Sequence, residues 1–247
     1  MKIAVLGATG TAGRLVVRAA RGAGHDVVEA SRASGVDLHT GAGLSDAIAG
    51  CDAVIDASNP FPTDPAGDVV SAFADASRRV ADACEQTGVR ALVHLSICNI
   101  DAAAFDEFDY YVAKRAQEKV VTASSVPHAI VRSAQWMEFA LNPAAVEQSD
   151  DRVLVQDWFI QPIAVATVAD VLVETCADLR HRDIAGPEQI RLPDLTARYL
   201  RAIDDDRKVE GVAAPFPEVS EGVLLASANT EILGPGPTEW LAGLEHG

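Results

Sequence analysis

A tyrosine and a lysine stand four residues apart in the middle of the chain, in the segment Tyr110-Tyr111-Val112-Ala113-Lys114. On a helix this spacing puts Tyr110 and Lys114 on one face, one turn apart. A nearby ammonium group stabilises a phenolate, so the pKa of Tyr110, ordinarily about 10, is expected to fall toward neutrality. The pair therefore predicts proton transfer, with Tyr110 as the acid–base group.

Ser96 supplies a third polar group, at the end of the apolar strand predicted over 91–96. Its hydroxyl can hydrogen-bond a substrate oxygen while Tyr110 exchanges the proton. Tyr111 is the competing tyrosine, but the residue four positions on is Arg115, so Tyr110 is preferred. The alternative interpretation is structural: a tyrosine that covers the edge of the core, and a lysine paired with Glu118.

The N-terminus holds a glycine motif in a specific context. The apolar run 2–6 leads into Gly7-Ala8-Thr9-Gly10-Thr11-Ala12-Gly13, and a helical pattern follows. Glycines at this spacing let the backbone approach a pyrophosphate, which then lies on the N–H groups of a helix N-terminus. The alternative is a plain glycine turn before a helix. The order strand, turn, helix favours a dinucleotide site.

The end of the second predicted strand, 26–30, indicates which dinucleotide binds. In this fold an acidic residue there selects NAD, whereas an arginine accommodates the 2′-phosphate of NADP. Glu29 lies inside the strand, and Ser31-Arg32 follows it. NADP(H) is therefore predicted over NAD(H), the alternative being a solvated loop arginine. With Ser96, Tyr110 and Lys114, this predicts hydride transfer to or from a small carbonyl or alcohol.

The elements that must position these groups alternate between strand and helix. Apolar strands at 53–57, 91–96 and 128–132 are separated by helices expected at 44–49, 68–87 and 105–123. This predicts a Rossmann-type doubly wound α/β fold with a parallel sheet covered on both faces. Ligands bind at the carboxyl ends of such strands. The residues at or just beyond those ends, expected to line one crevice, are Gly7, Ser31, Ala57, Ser96 and Ser133.

The C-terminal part follows another pattern and is predicted to form a smaller α+β lobe on the substrate side, partly integrated with the core. We expect a dinucleotide-binding core over 1–150 and this lobe over 151–247. The elements expected in the lobe are strands at 153–155 and 162–164, a helix capped by Thr167 and running through Leu179, a helix from Pro193 through Leu200, a helical stretch at 223–228 and an amphipathic turn with Trp240. Trp136, Met137 and Phe139 either wall the substrate or pack the lobe.

Composition excludes several classes of function. A net charge of −16 over 247 residues argues against nucleic acid or an anionic membrane as the main partner. No stretch is long and apolar enough to span a bilayer, and the N-terminal run breaks at Gly7, unlike a signal peptide. The cysteines have no metal-binding or redox spacing, and the carboxylates at 204–206 lack further ligands, so no metal is expected. A cytoplasmic protein with a small-molecule substrate is predicted, either a monomer or a homodimer.

Several segments together resemble the NmrA-like, NAD(P)H-binding group of atypical short-chain dehydrogenases/reductases. The segments that carry the resemblance are the glycine motif, Ser31-Arg32, His94-Leu95-Ser96, Tyr110 to Glu118, the run 125–132, Val168-Ala169-Asp170-Val171 and Ile184-Ala185-Gly186-Pro187-Glu188. The resemblance implies the same fold and a nicotinamide cofactor. Members of the group include reductases, epimerase-like proteins and redox sensors without catalysis.

The resemblance also implies roles for individual residues. It places the pyrophosphate on Gly7, Thr9, Gly10, Thr11, Ala12 and Gly13. It places the 2′-phosphate at Ser31 and Arg32, the riboses near Ala57, Ser58, Asn59 and Lys114, and the nicotinamide at Ser133 and Ala134. The chain departs from the group at Ser133-Ala134, where Pro-Gly is common, and at Ile97-Cys98-Asn99, so the substrate is not implied. A redox sensor and a protein with structural NADP remain alternatives to an enzyme.

Overall fold

The computed structural model describes residues 1–244. The strands are β1 (Lys2–Leu6), β2 (Asp26–Ala30), β3 (Ala53–Asp56), β4 (Ala91–Ile97), β5 (His128–Ser133), β6 (Val146–Gln148), β7 (Arg152–Gln156), β8 (Phe159–Ile160), β9 (Arg182–Ala185), β10 (Ile190–Arg191), β11 (Lys208–Val212) and β12 (Glu231–Ile232). The helices are α1 (Thr11–Gly22), α2 (Leu44–Ile48), α3 (Val69–Thr87), α4 (Asp109–Ala123), α5 (Val165–Asp178), α6 (Leu192–Ala202), α7 (Pro217–Glu221) and α8 (Pro237–Ala242). None of the helices in this part of the chain is long and apolar enough to cross a membrane.

Seven strands form the central sheet, in the order β12-β9-β5-β4-β3-β1-β2. Strands β2, β1, β3 and β4 pair in parallel, and so do β12 and β9. The chain leaves β1 toward β2 on one side and then continues with β3 on the other side of β1. This reversal is the switch point at which such sheets bind ligands. The predicted Rossmann-type α/β fold is confirmed.

The strands are buried on both faces because their side chains alternate between two layers of helices. In β1, Ala4 and Leu6 belong to an apolar cluster that also holds Leu44 of α2, Val80 of α3 and Val121 of α4. The side chains between them along β1 point to the opposite face and are equally inaccessible to water. The near-continuous apolar runs in the sequence reflect this double coverage.

Helix α3 shows how local chemistry sets the ends of an element. The carboxylate of Asp68 accepts hydrogen bonds from the amides of Val70 and Ser71, which fixes the helix start. Gly88 ends the helix with a φ of +73°, a conformation that costs glycine little. Both ends agree with the sequence prediction.

The predicted start of α4 at Phe105 is wrong. Residues Ala103–Phe105 form a separate 3₁₀ turn, and the α-helix begins only at Asp109. The ring of Phe105 is buried and stacks on Tyr111, with 3.8 Å between ring centroids. Arg115 also binds Asp106 and the carbonyl of Phe105. These contacts hold the turn apart from the helix, so Tyr110 lies in the first turn of α4.

The chain divides into two compact units. One comprises Met1–Arg132 with Val168–Arg182, and the other Ser133–Thr167 with Asp183 onward. In the second unit, β7 pairs with β6 in an antiparallel and with β11 in a parallel arrangement, and β8 pairs with β10. The hydroxyl of Thr196 in α6 donates to the carbonyl of Ala140 at 2.6 Å. The predicted assignment of the substrate to residues 151–247 stays a prediction.

Three expectations for the C-terminal part need correction. Residues 162–164 do not form a strand, because Ile163 makes a single isolated β-bridge, to Trp136. Helix α5 begins at Val165, whose amide is held by the carboxylate of Glu138, so Thr167 does not cap it. The helix predicted at 223–228 is replaced by α7, which Gly222 ends at a φ of +109°. The helix with Pro193 in its first turn and the turn with Trp240 are confirmed.

Candidate dinucleotide site

The register of the sheet aligns the carboxyl ends of four strands. Leu6 pairs with Ala30 and with Asp56, and Asp56 pairs with His94, so these four residues form one row across β2, β1, β3 and β4. Residues just past this row therefore lie along one edge of the sheet. Gly7, Ser31 and Ala57 directly follow the row, and Ser96 lies two residues beyond it within β4. The crevice predicted to hold these residues together with Ser133 stays a prediction.

The turn after β1 is too tight for side chains at two of its glycines. Gly7 has a φ of +73°, and a Cβ there would lie 3.0 Å from the carbonyl oxygen of Ala57. A Cβ at Gly13 would lie 2.0 Å from the carbonyl oxygen of Gly7. Gly10 differs, because its backbone is ordinary for any residue and its Cβ would meet only Gly7 O, at 3.2 Å. Gly7 and Gly13 are thus required for the tight turn. Gly10 is not, but its missing side chain leaves space beside the N-terminus of α1.

The N-terminus of α1 is open to an anion. Gly10 is the N-cap, no side chain caps the helix, and no acidic residue occupies its first turn. The first amides of a helix have no partner within it and carry a partial positive charge. Thr9, Gly10 and Thr11 are exposed, whereas Ala12 and Gly13 are buried. These residues fit a pyrophosphate, because the missing side chain at Gly10 leaves its place free beside unpaired N–H groups.

Arg32 and Glu29 differ in what they bind. Arg32 is exposed, and no ion pair or hydrogen bond of its guanidinium group is present among residues 1–244. The carboxylate of Glu29 instead pairs with Arg21, with 2.7 Å between nitrogen and oxygen. The Ser31 amide donates to Ser34 Oγ at 2.9 Å, which fixes the short turn that carries Arg32. At this strand end the available charged group is therefore an arginine.

The loop after β3 brings polar groups to the same edge. Ala57 and Ser58 are half-buried, and Asn59 is exposed. The Ser58 hydroxyl donates to Asp56 Oδ1 at 2.6 Å. The hydroxyl of Tyr110 donates to Asn59 Oδ1 at 3.5 Å, a long contact. The loop predicted to border the riboses thus also contacts the predicted acid–base group.

Tyr110 is half-buried among aromatic side chains. Its ring stacks on Phe61, with 5.8 Å between centroids, and meets the edge of Phe73 at 6.1 Å. Burial raises the pKa of Tyr110 above its usual value, and the hydrogen bond to Asn59 offsets this only in part. The expected lowering of this pKa by Lys114 is therefore wrong for this structure. Tyr110 holds its proton at neutral pH.

Lys114 is only 2% exposed and lies in a buried polar network. Its Nζ donates to the carbonyl of Leu95 at 2.8 Å and to Gln117 Oε1 at 2.7 Å, and lies 3.4 Å from His94 Nε2. Burial lowers the pKa of Lys114 to about 8, although the charges of Asp56 and Glu118 favour the cation. Glu118 itself binds Arg132, at 2.5 Å, rather than Lys114. The alternative Lys114–Glu118 pair is thus not formed.

The hydroxyl of Ser96 is buried, and its oxygen has no hydrogen-bond partner among residues 1–244. Such a group loses its hydration without compensation. It is therefore a strong candidate to meet a ligand.

Ser133 and Ala134 lie at the start of the second unit, and both are buried. The Ser133 hydroxyl donates to the Ala134 carbonyl at 3.1 Å and accepts from the Trp136 indole at 2.9 Å. The ring of Trp136 lies 5.2 Å from that of Phe139. Within this unit Ser133 is therefore fully partnered, unlike Ser96.

Sequence reasoning missed the partners of Lys114. His94 has Nδ1 3.3 Å from Asp56 Oδ2 and Nε2 3.4 Å from Lys114 Nζ. Gln117, which accepts from Lys114, in turn donates from Nε2 to Ser77 Oγ at 3.0 Å. The available signal was a carboxylate inside the apolar run 53–57, because a buried charge requires a partner. Within the described residues, no cluster of three metal-binding side chains occurs.

A strand, a glycine turn and an uncapped helix at the switch point define a dinucleotide-binding α/β protein. A family model described as NAD(P)H-binding matches residues 7–179, and the chain belongs to this family. No curated protein matches the chain significantly.

Solved structures with the same fold include reductases, an epimerase and one short-chain dehydrogenase/reductase superfamily protein. The dTDP-4-dehydrorhamnose reductase of Bacillus anthracis, in complex with NADP, has a TM-score of 0.70 at 14% identity, and the match covers 99% of this chain and 97% of the reductase chain. A short-chain dehydrogenase/reductase superfamily protein of Agrobacterium tumefaciens with bound NAD has a TM-score of 0.67 at 16% identity, covering 100% and 96%. An NADPH-dependent quinone oxidoreductase of Escherichia coli, complexed with NADPH, has a TM-score of 0.66 at 16% identity, covering 98% and 99%. At these identities the likeness shows the fold.

Proposed function

We propose that this protein is an NADP(H)-dependent oxidoreductase of the short-chain dehydrogenase/reductase type that acts on a small carbonyl or alcohol. The observation that carries the proposal is the hydroxyl of Ser96, which is buried without a partner at the carboxyl end of β4. This end lies on the same sheet edge as the glycine turn. A hydroxyl without a hydrogen-bond partner in the described part of the chain is available to a substrate oxygen.

The preference for NADP(H) rests on the charged groups at the end of β2. The 2′-phosphate of NADP is an anion, and Arg32 is exposed with its guanidinium group available. Glu29, the acidic residue that would select the ribose hydroxyl of NAD, is bound to Arg21. Guanidinium groups bind phosphate in a bidentate manner, which favours NADP(H).

Arg32→Ala is expected to shrink the preference for NADPH over NADH by about 1–3 kcal/mol, the scale of a charge-assisted contact. Calorimetric titration of both cofactors measures the preference. Arg18→Ala, on the exposed face of α1, removes the same charge and is expected to leave the preference unchanged. Equal affinity of the unmutated protein for NADPH and NADH would contradict the proposal.

The proposed chemistry assigns separate tasks to three side chains. Nicotinamide, when bound, supplies or accepts the hydride. Tyr110 carries the proton that a carbonyl oxygen needs when it becomes an alcohol, and its raised pKa keeps this proton available at neutral pH. Ser96 holds the same oxygen by a hydrogen bond. Lys114, whose Nζ donates to the carbonyl of Leu95 next to Ser96, adds positive charge to this part of the protein.

Ser96→Ala is expected to lower turnover about 10²-fold, the usual scale for one lost donor at a reacting oxygen. The variant should be as stable as the parent or up to about 1 kcal/mol more stable, because the deleted hydroxyl has no partner. Ser77→Ala is the control, since its buried hydroxyl accepts from Gln117 and its loss should destabilise the fold. Denaturant unfolding and turnover are both measured. A clearly destabilised Ser96→Ala would contradict the account.

One observation favours a redox sensor without turnover as the second candidate. The three donor directions of the Lys114 ammonium face Leu95 O, Gln117 Oε1 and His94 Nε2, which leaves none for a ribose in this arrangement. A panel of carbonyls with NADPH separates the two candidates. Tight NADPH binding without turnover of any carbonyl, but with altered association with a protein partner, would favour the sensor.

A further inference from the structure

A buried carboxylate, an imidazole and an ammonium lie in line between β3, β4 and α4. Asp56 Oδ2 is 3.3 Å from His94 Nδ1, and His94 Nε2 is 3.4 Å from Lys114 Nζ. Asp56, His94 and Lys114 are each no more than 2% exposed. Charges so deeply buried need compensation, and here each one faces the imidazole between them.

The geometry determines which nitrogen of His94 carries the proton. Lys114 has only hydrogens to offer, so Nε2 must accept, and Nδ1 must then donate to the carboxylate. Burial and the charge of Lys114 lower the pKa of His94, which keeps the ring neutral. Burial opposes the ionisation of Asp56, but the hydrogen bonds of His94 and Ser58 and the charge of Lys114 hold its pKa below the usual value.

We propose that His94 and Asp56 are positioning residues for Lys114, with a neutral, Nδ1-protonated imidazole coupling the ammonium to the carboxylate so that Lys114 stays charged and oriented inside the protein. The other two ammonium hydrogens bind Leu95 O and Gln117 Oε1 at ordinary distances. The contact to His94 is the longest of the three. It is therefore the one most easily exchanged for a ligand atom. The proposed network does not depend on the proposed function, but any effect of the network on turnover does.

Several other groups lie near Asp56, His94 and Lys114 and affect their pKa values. Glu118, on the same helix as Lys114, favours the cation but is shared with Arg132. Cys84 of α3 faces Asp56, and burial raises the pKa of its thiol to about 12, so it stays neutral. Gln117, Ser58 and Ser77 contribute hydrogen bonds without charge. Asp56 is thus the buried carboxylate that pairs with His94, whereas Glu118 pairs with Arg132.

Nuclear magnetic resonance of the protein without cofactor tests the proposal directly. The chain has four lysines, and the signal of Lys114 follows by elimination from arginine variants at the exposed positions Lys2, Lys119 and Lys208. We expect Lys114 to titrate near pH 8. Nitrogen shifts of His94 are expected to show a neutral ring protonated at Nδ1 at neutral pH.

Asp56→Asn keeps the shape of the side chain but removes its charge. The titration of Lys114 should then move to lower pH by about one unit, because the anion that favours the cation is gone. The alkaline limb of any turnover should move in the same direction, a change that a merely structural role would not produce. Should this variant not fold, the His94 shifts of the unmutated protein remain decisive.

Three results would overturn the proposal: an imidazolium at neutral pH, a ring protonated at Nε2, or an unchanged Lys114 titration in folded Asp56→Asn. None of these readouts requires cofactor or turnover. A protein that shows the expected resonances but reduces no carbonyl would retain the network and lose only the proposed oxidoreductase function. The reverse result would retain that function and remove the network.

Discussion

Replacing Tyr110 with phenylalanine is expected to lower turnover of any accepted carbonyl about 10²–10⁴-fold, the usual contribution of a positioned acid–base group. NADPH affinity should persist, because the change removes one oxygen whose single hydrogen bond within residues 1–244 is the 3.5 Å contact to Asn59. The ring still stacks on Phe61 and meets Phe73 edge-to-face, so the fold is kept. Steady-state kinetics beside an NADPH titration measures both quantities.

Tyr111→Phe is the matched control for this experiment. Tyr111 is the neighbouring tyrosine and stacks on Phe105, away from the contact with Asn59. Its loss of one oxygen should leave turnover nearly unchanged. If Tyr110→Phe is as fast as the parent, or if Tyr111→Phe is the slow variant, the assignment of Tyr110 is wrong. Lys114→Met is a less clean test, because it removes the buried donor that faces His94 Nε2 and Gln117 Oε1.

Gly10→Val is expected to abolish measurable dinucleotide binding while the protein stays folded. Gly10 has a φ of −76° and a ψ of 174°, which valine adopts readily, and its Cβ meets only Gly7 O at 3.2 Å. The added methyl groups would instead fill the space above the helix N-terminus that a pyrophosphate needs. Circular dichroism and an NADPH titration check the two halves of this result.

Two other glycines calibrate the Gly10 experiment. A Cβ at Gly22, at the far end of α1, meets no atom within 4 Å, so Gly22→Val should bind NADPH normally. A Cβ at Gly13 would overlap the carbonyl of Gly7, so Gly13→Ala should lose stability as well as binding. A folded Gly10→Val protein that retains the parent affinity for NADPH would contradict the placement of the pyrophosphate.

The sequence predicted the central sheet well because its signals are local. Continuous apolar runs mark β1, β3 and β4, and residues such as Asp68 and Gly88 mark helix ends by their own chemistry. The start of α4 was misplaced because it depends on Phe105, whose burial against Tyr111 is a tertiary contact. The start of α5 likewise depends on Glu138, distant in sequence.

The candidate site was predictable only in part, for the same reason. The glycine turn, Arg32 and Ser96 follow from spacing and from strand ends. The environment of Lys114 does not follow from them. Its partners Leu95 and His94 belong to β4, and the sequence does not predict which side of α4 packs against that strand. The raised pKa of Tyr110 similarly follows from aromatic residues of distant segments, Phe61 among them. The NmrA-like assignment within the family stays a prediction.

A crystal structure of the protein with NADPH tests the central claim most directly. The account predicts that the pyrophosphate accepts hydrogen bonds from the backbone amides of Thr11 and Ala12 and that Arg32 contacts the 2′-phosphate. It also predicts that Ser96 Oγ and the hydroxyl of Tyr110 face the space beside the nicotinamide. A cofactor bound away from the glycine turn, or a nicotinamide from which both hydroxyls are screened by protein, would contradict it.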